Sequence, residues 1–286
     1  MTDNPSSSVC AYGANVLIKH LSAMISEAPG VLEAQDIEYI HRMRVASRRF
    51  RAALPLFEMC FPPKLTRQWN DDVRSITRSL GEARDTDVQI DHIMAFMNAT
   101  NEKKYLPGLR RMALRLRQKR EKMQTRVIKT ISHILEAEVL PAMVNALKSY
   151  TNDTELRDLP LLTMARDAII SRMENVFIHE QSILDESKID ELHQTRIAVK
   201  YLRYTMETFG PLYSNGLKQE IQSCRDIQDT LGVIHDCDVW ALQIPAFIES
   251  EKVRINKFYG SPTPLLPLLP GIYFYQQERA KQRKSL

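Results

Sequence analysis

Apolar residues recur along this chain at helical intervals, and no segment sustains the alternation of a strand. Breakers divide the pattern into long helical stretches. Ala28-Pro29-Gly30 is expected to end a first helix, and Phe61-Pro62-Pro63 a second that begins near Asp36. A third runs from Lys64 to Leu80 and stops at Gly81; a fourth covers Asp85 to Met97. A long helix extends from Pro107 past Ile134, with Pro141 bending or ending it. Helical patterning resumes over Leu161–Leu184 and Ile189–Phe209, with turns at Gly210-Pro211, Asn215-Gly216 and Gly232. Tyr259–Gly271 holds four prolines and reads as an ordered loop before a last helix. The fold class is all-α.

The pattern repeats. His41-Arg42-Met43-Arg44-Val45-Ala46-Ser47-Arg48-Arg49-Phe50-Arg51 returns 152 residues later as His193-Gln194-Thr195-Arg196-Ile197-Ala198-Val199-Lys200-Tyr201-Leu202-Arg203. Leu80-Gly81-Glu82-Ala83-Arg84-Asp85-Thr86-Asp87-Val88 returns at an offset of 151 as Leu231-Gly232-Val233-Ile234-His235-Asp236-Cys237-Asp238-Val239. Two ordered blocks at nearly one offset mark a duplicated helical unit. The expected organisation is a disordered N-terminus (1–7), a first repeat (8–150), a linker (151–160) and a second repeat (161–286).

At about 100° per residue, His41, Arg44, Arg48 and Arg51 fall within roughly 80° of helix surface, and His193, Arg196, Lys200 and Arg203 do the same. Met43, Ala46, Phe50, Leu54 and Phe57 lie opposite the first set, and Ala198, Leu202, Met206 and Phe209 opposite the second. Each copy thus carries an apolar seam and a basic rail about 15 Å long. A third rail lies on the long helix, where Lys103–Lys129 holds eleven basic residues and one acid, Glu121. Arg111, Arg115, Lys119, Lys122, Arg126 and Lys129 share one arc there, and Arg279 and Arg283 form a shorter version on the last helix. A solvated helix face interleaves glutamate with lysine for i,i+4 support, whereas these rails are nearly pure cation and repel themselves. Arginine favours multidentate contact with phosphate oxygens, and so long an array suits a polymeric anion.

Composition localises that expectation. The chain of 286 residues has a net charge of +4, but residues 1–145 carry 22 Lys/Arg against 16 Asp/Glu, and residues 146–286 carry 17 against 19. Hydrophobic residues at 44% exclude a wholly disordered chain. Cys10, Cys60, Cys224 and Cys237 lie far apart without a C-x-x-C pair, which fits a reducing compartment better than a disulfide framework. The start has no signal-peptide character, and the longest apolar-looking stretch, Leu265–Tyr275, is too short and proline-broken to span a bilayer. These features predict a soluble cytoplasmic protein without membrane attachment.

The chemistry-bearing residues keep two readings each. His41 and His193 head the rails and suit either a phosphate ligand or a structural hydrogen bond. Asp85, Asp87, Asp236 and Asp238 follow Gly81 and Gly232, where they read as N-caps and first-turn acids, or as partners of a nearby arginine.

The doubled H-x-x-R-x-x-x-[RK]-x-x-R rail followed by L-G-x-x-[RH]-D-x-D-V resembles the CHAD domain, the conserved histidine α-helical domain, over most of the chain from about Ser8. The resemblance implies two four-helix bundles related by pseudo-twofold symmetry around a basic groove or cavity, both repeats forming one domain. It also implies binding of inorganic polyphosphate and, for some members, association with polyphosphate granules. The implied contacts are His41, Arg44, Arg48 and Arg51, with Arg49 completing the Arg48-Arg49 pair, and His193, Arg196, Lys200 and Arg203. Tyr201 replaces the second arginine of that pair and His235 replaces Arg84, so the first half is expected to bind more strongly. No E-x-E-x-K signature of the triphosphatase domain often fused to relatives occurs.

The expected function is therefore non-enzymatic polyphosphate binding, with no cofactor, metal or catalytic residue, and with oligomeric state open. RNA is the alternative partner, because phosphate rails serve any polyanion; single-strand binders usually add aromatic stacking platforms, and aromatics are only 7% here. A metal-dependent phosphohydrolase built on His193, His235, Asp236 and Asp238 is a further alternative, weakened by Arg84-Asp85 at the matching place of the first repeat.

Overall fold

A computed structural model of the protein describes residues 9–34, 36–151, 161–185 and 187–286. The expected N-terminal tail, and all but the first residue of the expected linker, lie outside the described residues. Nine α-helices are described: α1 (Val9–Glu33), α2 (Ile37–Ala53), α3 (Pro63–Ala99), α4 (Leu106–Glu136), α5 (Val139–Lys148), α6 (Leu161–Phe177), α7 (Ile189–Phe209), α8 (Lys218–Tyr259) and α9 (Leu269–Lys284). Short 3-10 turns join several of them, and no strand occurs among the described residues. The two histidine-headed blocks fall on α2 and α7, and the two glycine–aspartate blocks on α3 and α8.

Several expected helix ends are corrected. Pro29 lies inside α1, which continues to Glu33 because Ala28, Gly30 and Val31 are buried in the core. A Cβ at Gly30 would overlap the ring of Tyr39, so the glycine permits that close approach. The helix ends instead at Ala34, whose φ of 57° is left-handed. Gly81 and Gly232 end nothing: α3 and α8 run straight through them. A glycine inside a helix costs only about 1 kcal/mol relative to alanine, and neither residue adopts the left-handed backbone by which a glycine commonly ends one. Asp36 caps α2 as expected, its carboxylate accepting from the Glu38 amide at 2.8 Å. Glu138, at φ 50°, separates α4 from α5, so the long helix stops before Pro141.

The described residues pack into two compact units. One is drawn from Met1–Asp85, Lys122–Ile178 and Ile197–Arg225, the other from Thr86–Glu121, His179–Arg196 and Asp226–Leu286. In the first unit the α2 seam of Met43, Ala46 and Phe50 meets Leu17, Leu21 and Met24 of α1 and Ile76 and Leu80 of α3, all buried. Each such large side chain contributes about 1.5–3 kcal/mol on burial. In the second unit Ile93, Leu109, Met112, Trp240, Ile244, Ile272 and Tyr275 form the core. α8, which supplies Trp240 and Ile244, is also the one described helix long and apolar enough by length and composition to cross a membrane. That corrects the assignment of the longest apolar stretch to Leu265–Tyr275.

A disulfide joins Cys10 to Cys60, with Cα atoms 5.3 Å apart and both residues buried in the first unit, while Cys224 and Cys237 are free. The expectation of a chain without disulfides is thereby corrected; a spacing of 50 residues carries no motif that reveals the pairing. Because persistent disulfides belong to oxidising surroundings, the cysteines no longer argue for a reducing compartment. Closing a loop of this length restrains the unfolded chain, so Cys10→Ser with Cys60→Ser should lower unfolding free energy by about 2–4 kcal/mol. Denaturant melts with and without reductant check this: the native chain should fall to the variant's midpoint only when reduced, and reductant should leave the variant unchanged.

Candidate functional site

α2 presents three faces. Its seam is buried, and the rail residues His41, Arg44, Arg48 and Arg51 are half-buried along one side. The remaining side, through Arg42, Val45, Ala46 and Arg49, lines a cavity. The partly buried cations are the unusual part, since arginine on a bundle helix normally keeps its head in water.

Arg44 donates from Nη2 to Asp85 on α3 at 3.1 Å, while its Nε is buried without a hydrogen-bond partner. Burial is the main cause lowering its pKa, opposed by the Asp85 carboxylate and reinforced by Arg48. Gly81 on α3 lies beside this guanidinium, where a Cβ would make ordinary contact at 3.6 Å from Arg44 Nε. His41 likewise has a buried Nδ1 without a partner. Burial first, and then the charge of Arg84, push its imidazole below the usual histidine range, with Arg44 and Arg48 adding to the effect. Arg84, a cation on α3 that the sequence reading left outside the site, therefore acts on both His41 and Arg44. Among the described residues Arg48, Arg51 and Arg84 have no carboxylate as ion-pair partner. Arg51 donates to Asn70 at 3.4 Å, and Arg48 stands 5.8 Å from the centroid of the buried Tyr204 ring.

That ring brings part of the second rail into the same unit. Arg203 lies 5.1 Å from the Tyr204 centroid, so guanidiniums from α2 and α7 both address one aromatic side chain. Beside it, Glu207 accepts from Arg49 Nη2 at 2.8 Å and faces Arg203 and Arg225 at 3.7 Å each. Arg49 thus points to Glu207 rather than along the rail. Glu207 and Tyr204 were missed by the sequence reading; the only local signal was the i,i+4 spacing of Arg203 and Glu207. Lys200 lies over Tyr201 at 5.6 Å.

In the second unit, His193 packs against His235 with ring centroids 4.7 Å apart, and Arg196 is half-buried on the same helix. The long-helix rail splits by partner. Arg111 and Arg115 reach the fully buried carboxylate of Glu251, at 3.4 and 2.6 Å, and Arg254 pairs with it too. Lys119 is exposed. In the first unit Lys122 is exposed and Arg126 pairs with Glu82 at 3.2 Å. The short rail on α9 is also structurally engaged: Arg283 donates to Asp238 at 2.9 Å, and Arg279 donates to His92 Nε2 at 2.7 Å. An arginine can only donate, so Nε2 accepts and Nδ1–H donates to the Tyr275 hydroxyl at 2.7 Å.

The N-cap role expected for the aspartates is not found, and the alternative, an arginine partner, holds for Asp85, Asp87 and Asp238. Asp85 and Asp87 sit inside α3 and accept from Arg44 and Arg120, and Asp236 and Asp238 sit inside α8. Asp87 and Arg120 pair at 2.8 Å with both side chains largely buried. Among the described residues no group of three or more His, Cys, Asp or Glu side chains is arranged to hold a metal ion.

His20 on α1 adds a pH dependence. Burial, followed by the charges of Arg49 and Lys19, pushes its pKa down to about 4. The folded state therefore favours neutral His20, and stability present above the unfolded value of about 6.5 is lost as pH falls toward 4. The full loss is roughly 3 kcal/mol, and His20→Gln should remove that part of the acid destabilisation in melts between pH 7 and 4.

The comparisons with known proteins place the fold. A family model for the CHAD domain matches residues 15–244. The crystal structure of the CHAD domain from the plant Ricinus communis superposes with a TM-score of 0.72 at 20% identity, covering 100% of this chain and 90% of that chain. A search of curated proteins found no match. At that identity the crystal structure speaks for the fold alone, but the family model spans most of the chain, including both histidine-headed helices. The chain belongs to the CHAD domain family.

Proposed function

We propose that this protein binds inorganic polyphosphate through the α2 rail, with Arg84 and Arg203 extending it, and that it does so as a binding protein rather than an enzyme. The observation that carries the reading is the pair of buried, partnerless nitrogens on the rail, Arg44 Nε and His41 Nδ1. Arg44 Nε is a donor in every case, and leaving it buried without an acceptor costs about 1–3 kcal/mol that a phosphate oxygen reaching the side chain would offset; Nδ1 of a neutral His41 fills either role. Arg48, Arg51 and Arg84 beside them lack carboxylate partners among the described residues, so their charge is available to a polyanion. The cations that already hold Glu251 and Asp238, and Arg49 on Glu207, are less available, which supports a dominant role for the first rail.

The mechanism is multivalent charge-assisted hydrogen bonding, stronger for longer chains and weakened by salt. The family relation and the partly desolvated arginines both favour a polymer of phosphates. Titration calorimetry at physiological salt with long-chain polyphosphate, tripolyphosphate and single-stranded RNA of matched charge tests this. The long polyphosphate should bind tightest. RNA binding as tightly or more tightly would move the protein to the nucleic-acid class, and binding of none would return the rail to a solvated helix face.

A further inference from the structure

The cavity on the other side of α2 is unassigned by the polyphosphate reading. It has a volume of about 700 Å³ and lies wholly within the first unit, among α1, α2, α7, the turn at Pro211 and the start of α8. That volume falls in the roughly 300–1,000 Å³ range of small-molecule sites. At about 100° per residue, its α2 wall of Arg42, Val45, Ala46 and Arg49 is rotated away from Arg44, Arg48 and Arg51, none of which lines it. On α2 only His41, at the border, belongs to both.

The wall has two chemical characters. Val16, Ala23, Val45, Ala46 and Pro211 supply apolar surface between the charged positions. Lys19, Arg42, Arg49 and Arg225 oppose two acids, Glu27 and Glu207, leaving two positive charges. Arg42 is committed to Glu27 at 2.9 Å and Arg49 to Glu207 at 2.8 Å. Arg225 stands 3.7 Å from the same Glu207, too far for a hydrogen bond, and Lys19 has no acid partner among the described residues. His20 is neutral near pH 7 and adds a ring with both donor and acceptor capacity. The unbalanced charge and the forked donors of Arg225 call for a dianion with oxygen acceptors; the apolar surface calls for a carbon body attached to it.

We infer that this cavity binds an organic phosphate monoester, a group of about two negative charges near neutral pH, with its apolar body against Val16, Ala23 and Val45 and its phosphoryl group toward Lys19 and Arg225. The site adjoins the polymer rail, sharing His41 and the Tyr204 ring with it, but uses other cations.

The test is calorimetry on the full chain with 5′-AMP and phenyl phosphate as probes, and adenosine and orthophosphate as the separated halves. Both monoesters should bind at least about tenfold tighter than either half. Ala23→Trp, which fills the cavity, and Arg225→Glu, at a half-exposed side chain, should each weaken the monoesters by about tenfold or more. Ala23→Trp should leave polyphosphate affinity within about twofold, and Arg225→Glu, beside the Glu207 that faces Arg203, should weaken it less than it weakens the monoesters. The combined Arg44→Ala and Arg48→Ala variant should conversely leave monoester binding within about twofold. Circular dichroism qualifies Ala23→Trp as folded, and Arg225→Glu carries the test if it is not. The inference is overturned if neither monoester binds at about 1 mM, if a separated half binds equally well, or if the rail variant loses monoester binding as the cavity variants do. Because the rail and cavity variants are read against both ligands, failure here and failure of the polyphosphate reading are distinguishable.

Discussion

Replacing Arg44 and Arg48 together by alanine should weaken polyphosphate binding by roughly 10²–10⁴-fold, taking each charge-assisted hydrogen bond at about 1.5–3 kcal/mol. Arg44 is held by Asp85 at one nitrogen only and keeps a buried Nε for a ligand, and Arg48 has no carboxylate partner among the described residues. Removing two phosphate contacts should also flatten the plot of log affinity against log salt by roughly 1.4, at about 0.7 per contact for a single-stranded polymer. The slope distinguishes a lost contact from a general loss of fold. Neither side chain belongs to the buried seam of Met43, Ala46 and Phe50, so the melting midpoint should hold. An unchanged affinity in the folded variant would remove the first rail from the site.

Glu251→Ala should be the most damaging polar substitution in the second unit. The carboxylate is fully buried, accepts from Arg115 Nε at 2.6 Å, and is approached by Arg111 at 3.4 Å and by Arg254. Deleting one partner of a buried ion pair costs about 3–5 kcal/mol, because the remaining charge is left uncompensated. Here three guanidiniums would face one another. Thermal unfolding should fall by about 2–4 °C per kcal/mol for a chain of this size class. Glu251→Gln, which retains an acceptor, should lose less, and added salt should restore part of the loss in both variants by screening the arginines. A melt unchanged by Glu251→Ala would show the cluster to be energetically idle.

The α2 seam was legible because its residues meet their partners at regular helical spacing: Met43, Ala46 and Phe50 are all buried, and Leu54 and Phe57 of the 3-10 turn after it are buried with them. The first rail was legible for the same reason, since one helix fixes which side chains share a face. Helix ends were less so. Pro29, Gly81 and Gly232 are breakers by local propensity, but buried neighbours such as Ala28, Val31 and Leu80 hold α1 and α3 together across them. The N-cap reading of the aspartates after Gly81 rested on that expected break; α3 continues, and their other reading, an arginine partner, is the one found for Asp85 and Asp87.

The partners of the cations were not legible. Arg49 meets Glu207 across 158 positions and Arg115 meets Glu251 across 136, separations at which charge alone does not specify a pair. The same holds for Cys10 and Cys60, for the placing of Arg84 beside His41, and for the cavity that divides α2's polar surface in two. The amino-acid sequence by itself determined the all-helical class, the buried side of α2 and the placing of cations along one helix face, because periodicity near 3.6 residues maps directly onto that face. Tertiary structure alone decided which of those cations are neutralised and which stay open to a ligand, because burial and ion pairing depend on residues that only packing brings within a few ångströms.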